Sequence, residues 1–522
     1  MKNKAILLLT CIAVFSLSFK GDTDERVDLH TIVKIKNEGF NNSKVMETLF
    51  QLTDVIGPRL TGSTGMKNAE AYTCKQLKEW GLTAKIEPWG GFGKGWEIEK
   101  SYLAMTTPYY QQLIAVPKAW TPGTNGLVKA EAVLVKIEKP EDMAKYIGKL
   151  KDKIVVLKPT AEIKLAFTAD AKRLSDEELE KMAIDPHVEE PGASNPPRTM
   201  PTVTRKQIDS FLMNEGAMVV LSGGRGSTGT VFTSNGGSRA WDAKPTLPEL
   251  EMNGEHINRL VRLLEAGKEV NMEADTKTTF LTADSTENNV VAEIPGEDPE
   301  LKNEIVMLGA HMDSWHAATG TTDNGTGAVV MMEAVRILKT LNLHPRRTIR
   351  LVLWSGEEQG LLGSRAYVKK HFGDRTTMIL KPAQERISAY YNLDNGAGKI
   401  RGIYLQNNDE ARPIFEAWLE PFKDLGATTA TIRTTGSTDH ISFDEVGIPG
   451  FQFIQDPLEY GSRSHHTNMD VYERVNPNDL MQASIIVASF VYNTAMRDEM
   501  IPRKPLPKAK PVVPATKNPE KK

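Results

Sequence analysis

Cysteine is almost absent from the sequence. Only Cys11 and Cys74 occur among 522 residues, and Cys11 lies in an N-terminal apolar run that export would remove. A single remaining cysteine cannot form an intrachain disulfide, which excludes a disulfide-stapled fold. Cys74 lies in AEAYTCKQLKEWG, a pattern typical of an amphipathic helix, so we interpret it as a packed core thiol rather than a nucleophile.

A basic excess is missing as well. The net charge is −3, and the positive charges gather at the two ends of the chain. Residues 500–522 carry seven Lys and Arg against one Glu, and residues 1–20 carry three Lys and no acid. The body between them is therefore acidic, which gives no reason to expect nucleic-acid binding. Beyond residue 20 no apolar run is long enough to span a bilayer, so we expect no stable membrane insertion.

The N-terminus has the pattern of a secretory signal peptide. In MKNKAILLLTCIAVFSLSFKGD, Lys2 and Lys4 precede an apolar run that ends near Phe15, and small residues follow. This order is typical of a cleaved leader over residues 1–20. The alternative interpretation is an uncleaved anchor. A cleaved leader predicts a periplasmic or secreted protein.

In the rest of the chain the pattern of predicted helices and strands changes from one region to the next, which predicts more than one domain. Residues 42–82 read as helices joined by a turn-rich link. Residues 120–275 carry short β-type runs around a charged, Pro-bearing insertion, and we interpret them as a separate β-rich module. Residues 500–522 combine prolines with lysines and predict a disordered tail.

The last third of the chain alternates apolar strands with amphipathic helices. The pattern predicts strands over 304–311, 348–354 and 387–394, and helices over 327–341 and 361–371. Such alternation indicates an α/β fold with a mostly parallel sheet covered on both faces. In these sheets the ligand crevice lies beyond the carboxyl ends of the strands.

Acids and imidazoles follow these strands in the sequence. They are His311 and Asp313 in GAHMDSW, Asp323 in TTDNGTG, Glu357 and Glu358 in GEEQG, Asp394 in NLDNG, and His465 and His466 in RSHHTNMD. Each alone is a weak signal, because an Asp at a strand end is more often a helix cap or a turn residue. Gathered at one sheet edge, they are the ligands that a hydrolytic metal site requires.

The adjacent acids Glu357 and Glu358 allow two roles. Neighbouring residues at a strand end point in different directions, so one carboxylate can bind a metal ion while the other accepts a proton from bound water. The alternative is an acid pair at a helix N-terminus, favoured by the helix dipole. Asp323 could bridge two metal ions, with His311, Asp394, Glu358 and His466 as the remaining ligands. Asp313, two residues after His311, is better placed to orient that imidazole than to bind metal.

At these motifs the sequence resembles metallopeptidase family 28, the co-catalytic zinc exopeptidases. The segments IGPRLTGS (56–63), NNVVAEIPGEDPE (288–300), GAHMDSW, TDNGTG, GEEQGLLGS, NLDNGAG and HHTNMD follow one another in family order, over nearly the whole chain beyond the leader. The middle module, with GKLKDKIVVL, resembles the protease-associated domain that many members carry as an insert. The resemblance implies a three-layer α/β/α peptidase domain with a mostly parallel mixed sheet.

The resemblance also implies a division of the chain and a set of site residues. The expected parts are a signal peptide (1–20), the N-terminal part of the peptidase domain (21–119), an inserted protease-associated-like domain (120–275), the catalytic zinc peptidase domain (276–499) and the basic, Pro-rich tail (500–522). The ligands of two Zn²⁺ ions per chain would be His311, Asp323, Glu358, Asp394 and His466. Glu357 would be the general base, and Asp313 would support His311.

The sequence departs from the family pattern at one position. Many aminopeptidases of the family have Tyr just before the last His ligand, where it stabilises the oxyanion, but here that residue is His465. His465 and Tyr460 are therefore both candidates for the oxyanion donor. His440, in GSTDHISF, either lines the substrate pocket or only packs. His316 has no role that the family would assign.

The resulting expectation is an aminopeptidase that hydrolyses N-terminal residues from peptide substrates. One alternative is a dipeptidase or carboxypeptidase of the carboxypeptidase Q type, which the pair His465–His466 and the segment HMDSW resemble. Two further alternatives are a glutaminyl cyclase and a binding protein that uses the middle module as its interaction surface. A homodimer is one candidate assembly.

Overall fold

The computed structural model describes residues 25–159, 162–185 and 202–509. The predicted signal peptide, residues 1–20, lies outside the described residues. The helices are α1 Leu29–Asn41, α2 Val45–Phe50, α3 Thr64–Glu79, α4 Asp176–Ile184, α5 Arg205–Asn214, α6 Gly254–Glu265, α7 Thr326–Thr340, α8 Leu362–His371, α9 Arg412–Leu419, α10 His440–Asp444 and α11 Pro477–Met496. No helix among these ranges has both the length and the apolar character needed to cross a bilayer.

Eighteen strands are present in the same ranges. They are β1 Thr83–Gly91, β2 Gly95–Thr107, β3 Gln111–Gln112, β4 Ala115–Pro117, β5 Val128–Val135, β6 Ile154–Leu157, β7 Val219–Gly223, β8 Glu249–Met252, β9 Asn271–Leu281, β10 Thr286–Ile294, β11 Ile305–His311, β12 Thr348–Trp354, β13 Gly373–Asp374, β14 Ile379–Leu380, β15 Ile387–Asn392, β16 Ile400–Tyr404, β17 Thr429–Thr431 and β18 Gly450–Gln455.

The first large sheet has the strand order β1-β10-β12-β11-β15-β18-β16-β17. Its centre is parallel, since β11 pairs in parallel with both β12 and β15, and β15 pairs in parallel with β18. Antiparallel pairs flank this centre, at β1–β10, β10–β12 and β16–β18. The predicted α/β fold with a mixed, mostly parallel sheet is confirmed.

Alternating side chains of each central strand are buried against different layers of helices. On β11, Leu308 and Ala310 belong to the large core that includes α7 and α11, whereas Met307 belongs to a second core with residues of α8 and α10. On β12, Leu351 and Leu353 face the first core and Val352 faces the second. Both faces of the sheet are covered, which is why these strands are apolar throughout rather than alternating.

The second large sheet has the order β3-β2-β9-β5-β6-β7-β8-β4 and spans residues 95–281. It has its own hydrophobic core, in which Leu221, Leu250 and Met272 pack against Ile257 and Leu260 of α6. The sheet includes β2, which precedes the β-rich module expected over residues 120–275 and pairs along its length with β9. That this unit is a protease-associated domain stays a prediction.

The charged insertion, which belongs to the unit of the second sheet, contacts the unit of the first sheet through ion pairs. Arg173 forms ion pairs with Asp456 at 2.7 Å and Asp479 at 2.9 Å, and Arg463 pairs with Asp170 at 2.5 Å. Asp456 and Asp479 are almost completely buried. The insertion is therefore anchored beside the loop that follows β18.

The first residues of the predicted disordered tail are ordered, which corrects the expected start of the tail at residue 500. Ile501 is buried, and the Arg503 guanidinium donates to the carbonyl of Ile387. Lys504 donates to the carbonyl of Gln406 at 2.7 Å. Apolar burial and backbone hydrogen bonds fix this stretch, although its prolines and lysines favoured disorder. Residues 510–522 lie outside the described residues.

Candidate metal centre

The parallel pairing of β12, β11 and β15 brings three chain segments to one sheet edge. His311 is the last residue of β11, Glu357 and Glu358 follow β12 after a two-residue turn, and Asp394 follows β15. Because parallel strands end at the same edge, residues from positions 311 to 394 become neighbours there.

Asp323 reaches this edge from the turn that precedes α7. The backbone N–H groups of Thr322 and Asp323 donate to the two carboxylate oxygens of Asp470, at 2.6 and 3.1 Å. Asp470 is buried, and burial together with the charge of Asp323 raises its pKa to about 7. The buried Asp470 carboxylate thus fixes the backbone at Asp323 through these two hydrogen bonds.

One half of the centre surrounds His311. Its Nε2 atom lies 3.3 Å from Asp394 Oδ1 and 3.5 Å from Asp323 Oδ1. Its Nδ1 atom is 3.0 Å from the carbonyl oxygen of Asp313. That contact leaves Nε2 facing the carboxylates, as a metal-ligating imidazole requires.

The other half surrounds His466. Its Nε2 atom lies 2.9 Å from Glu358 Oε2 and 3.3 Å from Asp323 Oδ2. Asp323 therefore presents Oδ1 to one imidazole and Oδ2 to the other. A carboxylate shared in this way is what bridges the two ions of a dinuclear site, which lie about 3.5–4 Å apart.

Glu357 and His465 lie at the margin of the same cluster. Glu357 Oε2 is 4.0 Å from His311 Nε2, and His465 Nε2 is 3.9 Å from Asp323 Oδ2. His311, Glu357 and Asp394 place one ligand atom each within 4.8 Å of one another, as do Asp323, His465 and His466. By distance alone, Glu357 and His465 are close enough to be metal ligands. Distance does not distinguish a ligand from a proton acceptor or a hydrogen-bond donor at this site.

The electrostatics of the cluster fit a bound cation. Burial raises the pKa of Glu357 well above its ordinary value, and the charges of nearby carboxylates raise it further. Burial and the charge of Asp323 raise the pKa of Glu358 in the same way. Burial alone would lower the pKa of His311, but the surrounding carboxylates raise it well above its ordinary value. The carboxylates of the site thus favour the binding of positive charge. A divalent metal ion carries more charge than a proton and therefore neutralises more of the cluster.

Unpaired buried oxygens point to the same conclusion. Within the described part of the chain, Asp323 Oδ2 and Glu358 Oε1 are buried and have no hydrogen-bond partner. Such atoms are costly unless they meet a cation. Carboxylate oxygens and imidazole nitrogens are suitable ligands for zinc, so the donor set fits the expected metal.

The candidates for the oxyanion donor lie together. The Tyr460 ring is 4.8 Å from that of His465, and the two imidazoles of His465 and His466 are 3.8 Å apart. Burial, followed by the charge of Asp323, raises the pKa of the Tyr460 phenol well above its ordinary value. A phenol that keeps its proton beside the Asp323 carboxylate can donate a hydrogen bond.

Two other histidines singled out in the sequence lie outside the cluster. His440 is fully buried and contacts the Thr435 carbonyl at 3.0 Å and the Gln406 amide. His316 contacts the Pro117 carbonyl at 2.7 Å and packs edge-on against Trp96 at 5.0 Å. Burial lowers the pKa of each to about 4, so both imidazoles are neutral at pH 7.

Sequence reasoning missed the role of Arg59, although it lies in the quoted motif IGPRLTGS. Arg59 is completely buried and donates to the carbonyls of Met312, Thr319 and Gly320, at 2.7, 2.7 and 2.6 Å. These carbonyls belong to the loop between the residues His311 and Asp323. An arginine between a proline and an apolar residue carries no sequence signal for such a contact.

The loop between β7 and β8 of the second sheet also contacts the candidate metal centre, which the sequence did not predict. The N–H of Thr233 donates to the carbonyl of His466 at 2.8 Å. His466 has a φ of 59°, in the left-handed region that is unfavourable for residues with a side chain. The contact from Thr233 therefore helps to hold a candidate ligand in a strained backbone conformation.

Comparisons with known proteins identify the family. Residues 289–491 match the family model described as Peptidase family M28. Human carboxypeptidase Q is 26% identical over 477 residues, covering 90% of this chain and 89% of that protein. Aminopeptidase YwaD of Bacillus subtilis is 30% identical over 202 residues, covering 38% of this chain and 42% of that protein.

Solved structures share the fold. A crystal structure of a peptidase M28 precursor from Shewanella amazonensis has a TM-score of 0.65 and 24% identity, covering 92% of this chain and 98% of that one. The zinc aminopeptidase BSAP of Bacillus subtilis has a TM-score of 0.56 and 21% identity, covering 87% and 95%. Residues 289–491 therefore form a peptidase family M28 domain, and the chain over most of its length is similar to carboxypeptidase Q.

Proposed function

We propose that this protein is a zinc-dependent exopeptidase that binds two zinc ions. The observation that carries the proposal is the division of Asp323 between the two imidazoles of His311 and His466. Asp394 completes the first half of the site and Glu358 the second. The substrate is a peptide, and the main candidate activity is removal of its N-terminal residue.

Glu357 is the proposed general base. When bound, zinc supplies Lewis-acid polarisation of the scissile carbonyl and lowers the pKa of water. Glu357 accepts a proton from the attacking water as the water oxygen bonds to the scissile carbonyl carbon, and burial, which raises the pKa of the Glu357 carboxyl, favours its protonated form. The same carboxyl then donates the proton to the amide nitrogen as the C–N bond breaks, which releases the amine and the carboxylate product.

The other side chains position the substrate. Tyr460 or His465 donates a hydrogen bond to the oxygen of the scissile carbonyl as negative charge develops there. A free N-terminal amine of the substrate is positively charged, and the acidic cluster around Asp394 and Glu357 attracts it. These two sets of contacts select the first peptide bond over later ones.

A dipeptidase or carboxypeptidase is the second candidate. It is favoured by the similarity to carboxypeptidase Q over 90% of this chain and 89% of that protein. The similarity to aminopeptidase YwaD covers only 38% of this chain. For both candidates, the leader predicted at residues 1–20 would place the enzyme in the periplasm or outside the cell.

The deciding experiment uses a five-residue peptide and its N-acetylated twin, each incubated with the zinc-loaded protein and followed by mass spectrometry. Stepwise loss from the N-terminus of the free peptide alone supports an aminopeptidase, and shortening from the C-terminus supports a carboxypeptidase. Chelation should abolish turnover and added zinc should restore it. No cleavage of pentapeptides or dipeptides by the zinc-loaded protein would refute the exopeptidase proposal.

A further inference from the structure

The two imidazoles of the candidate metal centre are supported differently. His311 ends β11, which is hydrogen-bonded on both sides to neighbouring strands of the first sheet. His466 lies in the loop that follows β18 and begins at Asp456. A strand end is fixed by the hydrogen bonds of its sheet, whereas a loop depends on contacts from other parts of the chain. We call residues 456–466 the His466 loop.

A short stretch of the charged insertion, residues 170–174, runs antiparallel to the start of the His466 loop. The N–H of Lys172 donates to the carbonyl of Leu458 at 3.0 Å, and the N–H of Leu458 donates to the carbonyl of Lys172 at 2.8 Å. The N–H of Leu174 donates to Asp456 Oδ1 at 2.9 Å. We call residues 170–174 the strap, because its backbone is hydrogen-bonded to this loop.

Ion pairs fix the strap on either side of these backbone contacts. On one side, the Arg173 guanidinium lies 2.7 Å from Asp456 Oδ2. Asp456 is completely buried, and its other oxygen is paired with Arg401 at 3.0 Å. On the other side, Asp170 Oδ2 accepts hydrogen bonds from Nε and Nη2 of Arg463, at 2.8 and 2.5 Å. Charge-assisted hydrogen bonds of this kind are stronger than neutral ones.

Arg463 also connects the His466 loop to the second unit. Its Nη1 atom donates to the carbonyl of Ser227, in the loop between β7 and β8, at 2.7 Å. Because 13% of the Arg463 side chain is exposed, the loss of Asp170 would leave a largely buried guanidinium without this anionic partner. Arg463 belongs to the single helical turn Tyr460–Ser464, which ends two residues before His466. A displacement of Arg463 would therefore displace the candidate ligand.

The strap and the contacts at His466 hold different ends of the loop. The N–H of Thr233 fixes the carbonyl of His466, and the hydroxyl of Thr322 lies 2.7 Å from that of Ser464. The strap holds the other end, from Asp456 to Arg463. A metal ligand has to be held to within about 0.5 Å of its working position, so a loop fixed at one end alone is a poor support for an imidazole.

We propose that the strap is a positioning element of the metal centre, which holds the His466 loop through Asp456 and Arg463 so that His466 retains its metal ion. The proposal rests on the proposed dizinc function, and it gives the charged insertion a role in that function. The ion bound at His311 does not depend on the strap, because the sheet itself supports that half of the site.

The test measures the affinities of the two zinc ions separately. Metal-free wild type and the variants D170N, D170E, R173Q and E180Q are titrated with zinc against a competing chelator. D170N is also made in an H466A background, in which the His311 half of the site remains. Glu180 is exposed on α4 of the same insertion, so E180Q controls for the loss of a negative charge. Melting temperatures of the metal-free proteins and cleavage of the five-residue peptide are measured beside the titrations.

We expect D170N and R173Q each to weaken the binding of one zinc ion by about 10- to 100-fold and to change the other by less than about twofold. D170E keeps the carboxylate and should recover part of the loss, and E180Q should match the wild type. In the H466A background, D170N should cause no further loss of affinity. R173Q releases the other side of the strap, so it decides the question if D170N does not fold.

Equal weakening of both ions, or unchanged affinities in D170N and R173Q, would overturn the role of the strap and leave the exopeptidase proposal standing. A further loss of zinc on adding D170N to H466A would also overturn it, because the strap would then act on the His311 half. A wild type that binds two zinc ions but cleaves no peptide would overturn the exopeptidase activity, while the titrations still decide the role of the strap. A wild type that binds fewer than two zinc ions would overturn both proposals.

Discussion

The carboxylate of Asp313 accepts the backbone N–H of Glu357, with Oδ1 3.2 Å from the amide nitrogen. Its Oδ2 atom accepts the N–H of Glu358 at 3.3 Å and the hydroxyl of Thr61 at 2.9 Å. Asp313 therefore fixes the backbone of both acids, while its carbonyl contacts the imidazole of His311. One residue therefore contacts both the turn that carries Glu357 and Glu358 and the imidazole of His311.

Replacing Asp313 should weaken zinc binding without removing a ligand. Asp313→Ala leaves the two amides without their acceptor, and we expect the affinity for zinc to fall by about 10- to 100-fold, as for other residues that position ligands. Asp313→Asn keeps one oxygen acceptor and should lose less. Zinc titration against a competing chelator measures both, and equal affinities for wild type and Asp313→Ala would contradict the role.

Glu357→Gln should separate catalysis from metal binding. The amide cannot accept a proton, so we expect kcat to fall by about 100- to 10,000-fold while zinc content stays the same. The control is Glu410→Gln, since Glu410 is an exposed residue just before α9. Near-normal turnover by Glu357→Gln would show that another group is the base, and loss of zinc would make Glu357 a ligand.

Arg59→Lys should destabilise the loop that precedes Asp323. An ammonium group cannot span the carbonyls of Met312, Thr319 and Gly320, so some of these buried acceptors lose their donor. We expect the free energy of unfolding to fall by about 2–4 kcal/mol. Urea denaturation of the metal-free protein measures it, with Arg262→Lys as the surface control. An unchanged midpoint would mean that the loop does not depend on Arg59.

Glu70 should make the folded protein less stable as pH rises. Burial raises its pKa to about 7, and the nearby charge of Glu287 contributes, although Lys67 opposes it. In the unfolded chain a Glu has a pKa of about 4.3. Between these values the folded state binds the proton and the unfolded state does not, so the free energy of unfolding falls as pH rises from about 4 to 7.

Glu70→Gln removes this titration. We expect it to increase the free energy of unfolding by about 1–3 kcal/mol at pH 8 and to have a smaller effect at pH 4. Melting curves at both pH values test this, with Glu79→Gln, an exposed position on the same helix, as control. A stabilisation that is equal at the two pH values would show that Glu70 does not titrate as proposed.

The secondary structure of the last third was predictable from local pattern. The helix expected over 327–341 is α7 Thr326–Thr340, and the strand expected over 348–354 is β12 Thr348–Trp354. Long apolar runs bounded by polar turns leave few alternatives. By contrast, no prediction was made for β16, β17 or α11. Strand β17 has only three residues, and β16 only five, which is too short for a pattern to be distinctive.

The sequence by itself determined the chemistry: the acids and imidazoles at strand ends, their order, and the family they resemble. The tertiary structure decided how they are held. The site is positioned through hydrogen bonds to backbone groups, which come from Arg59, Asp470 and Thr233. Every residue type can supply a backbone carbonyl, and all but proline a backbone N–H, so the sequence does not show which residues make these contacts. The contact from Thr233 to His466 depends on packing between the units of the two large sheets, which brings together residues more than 200 positions apart.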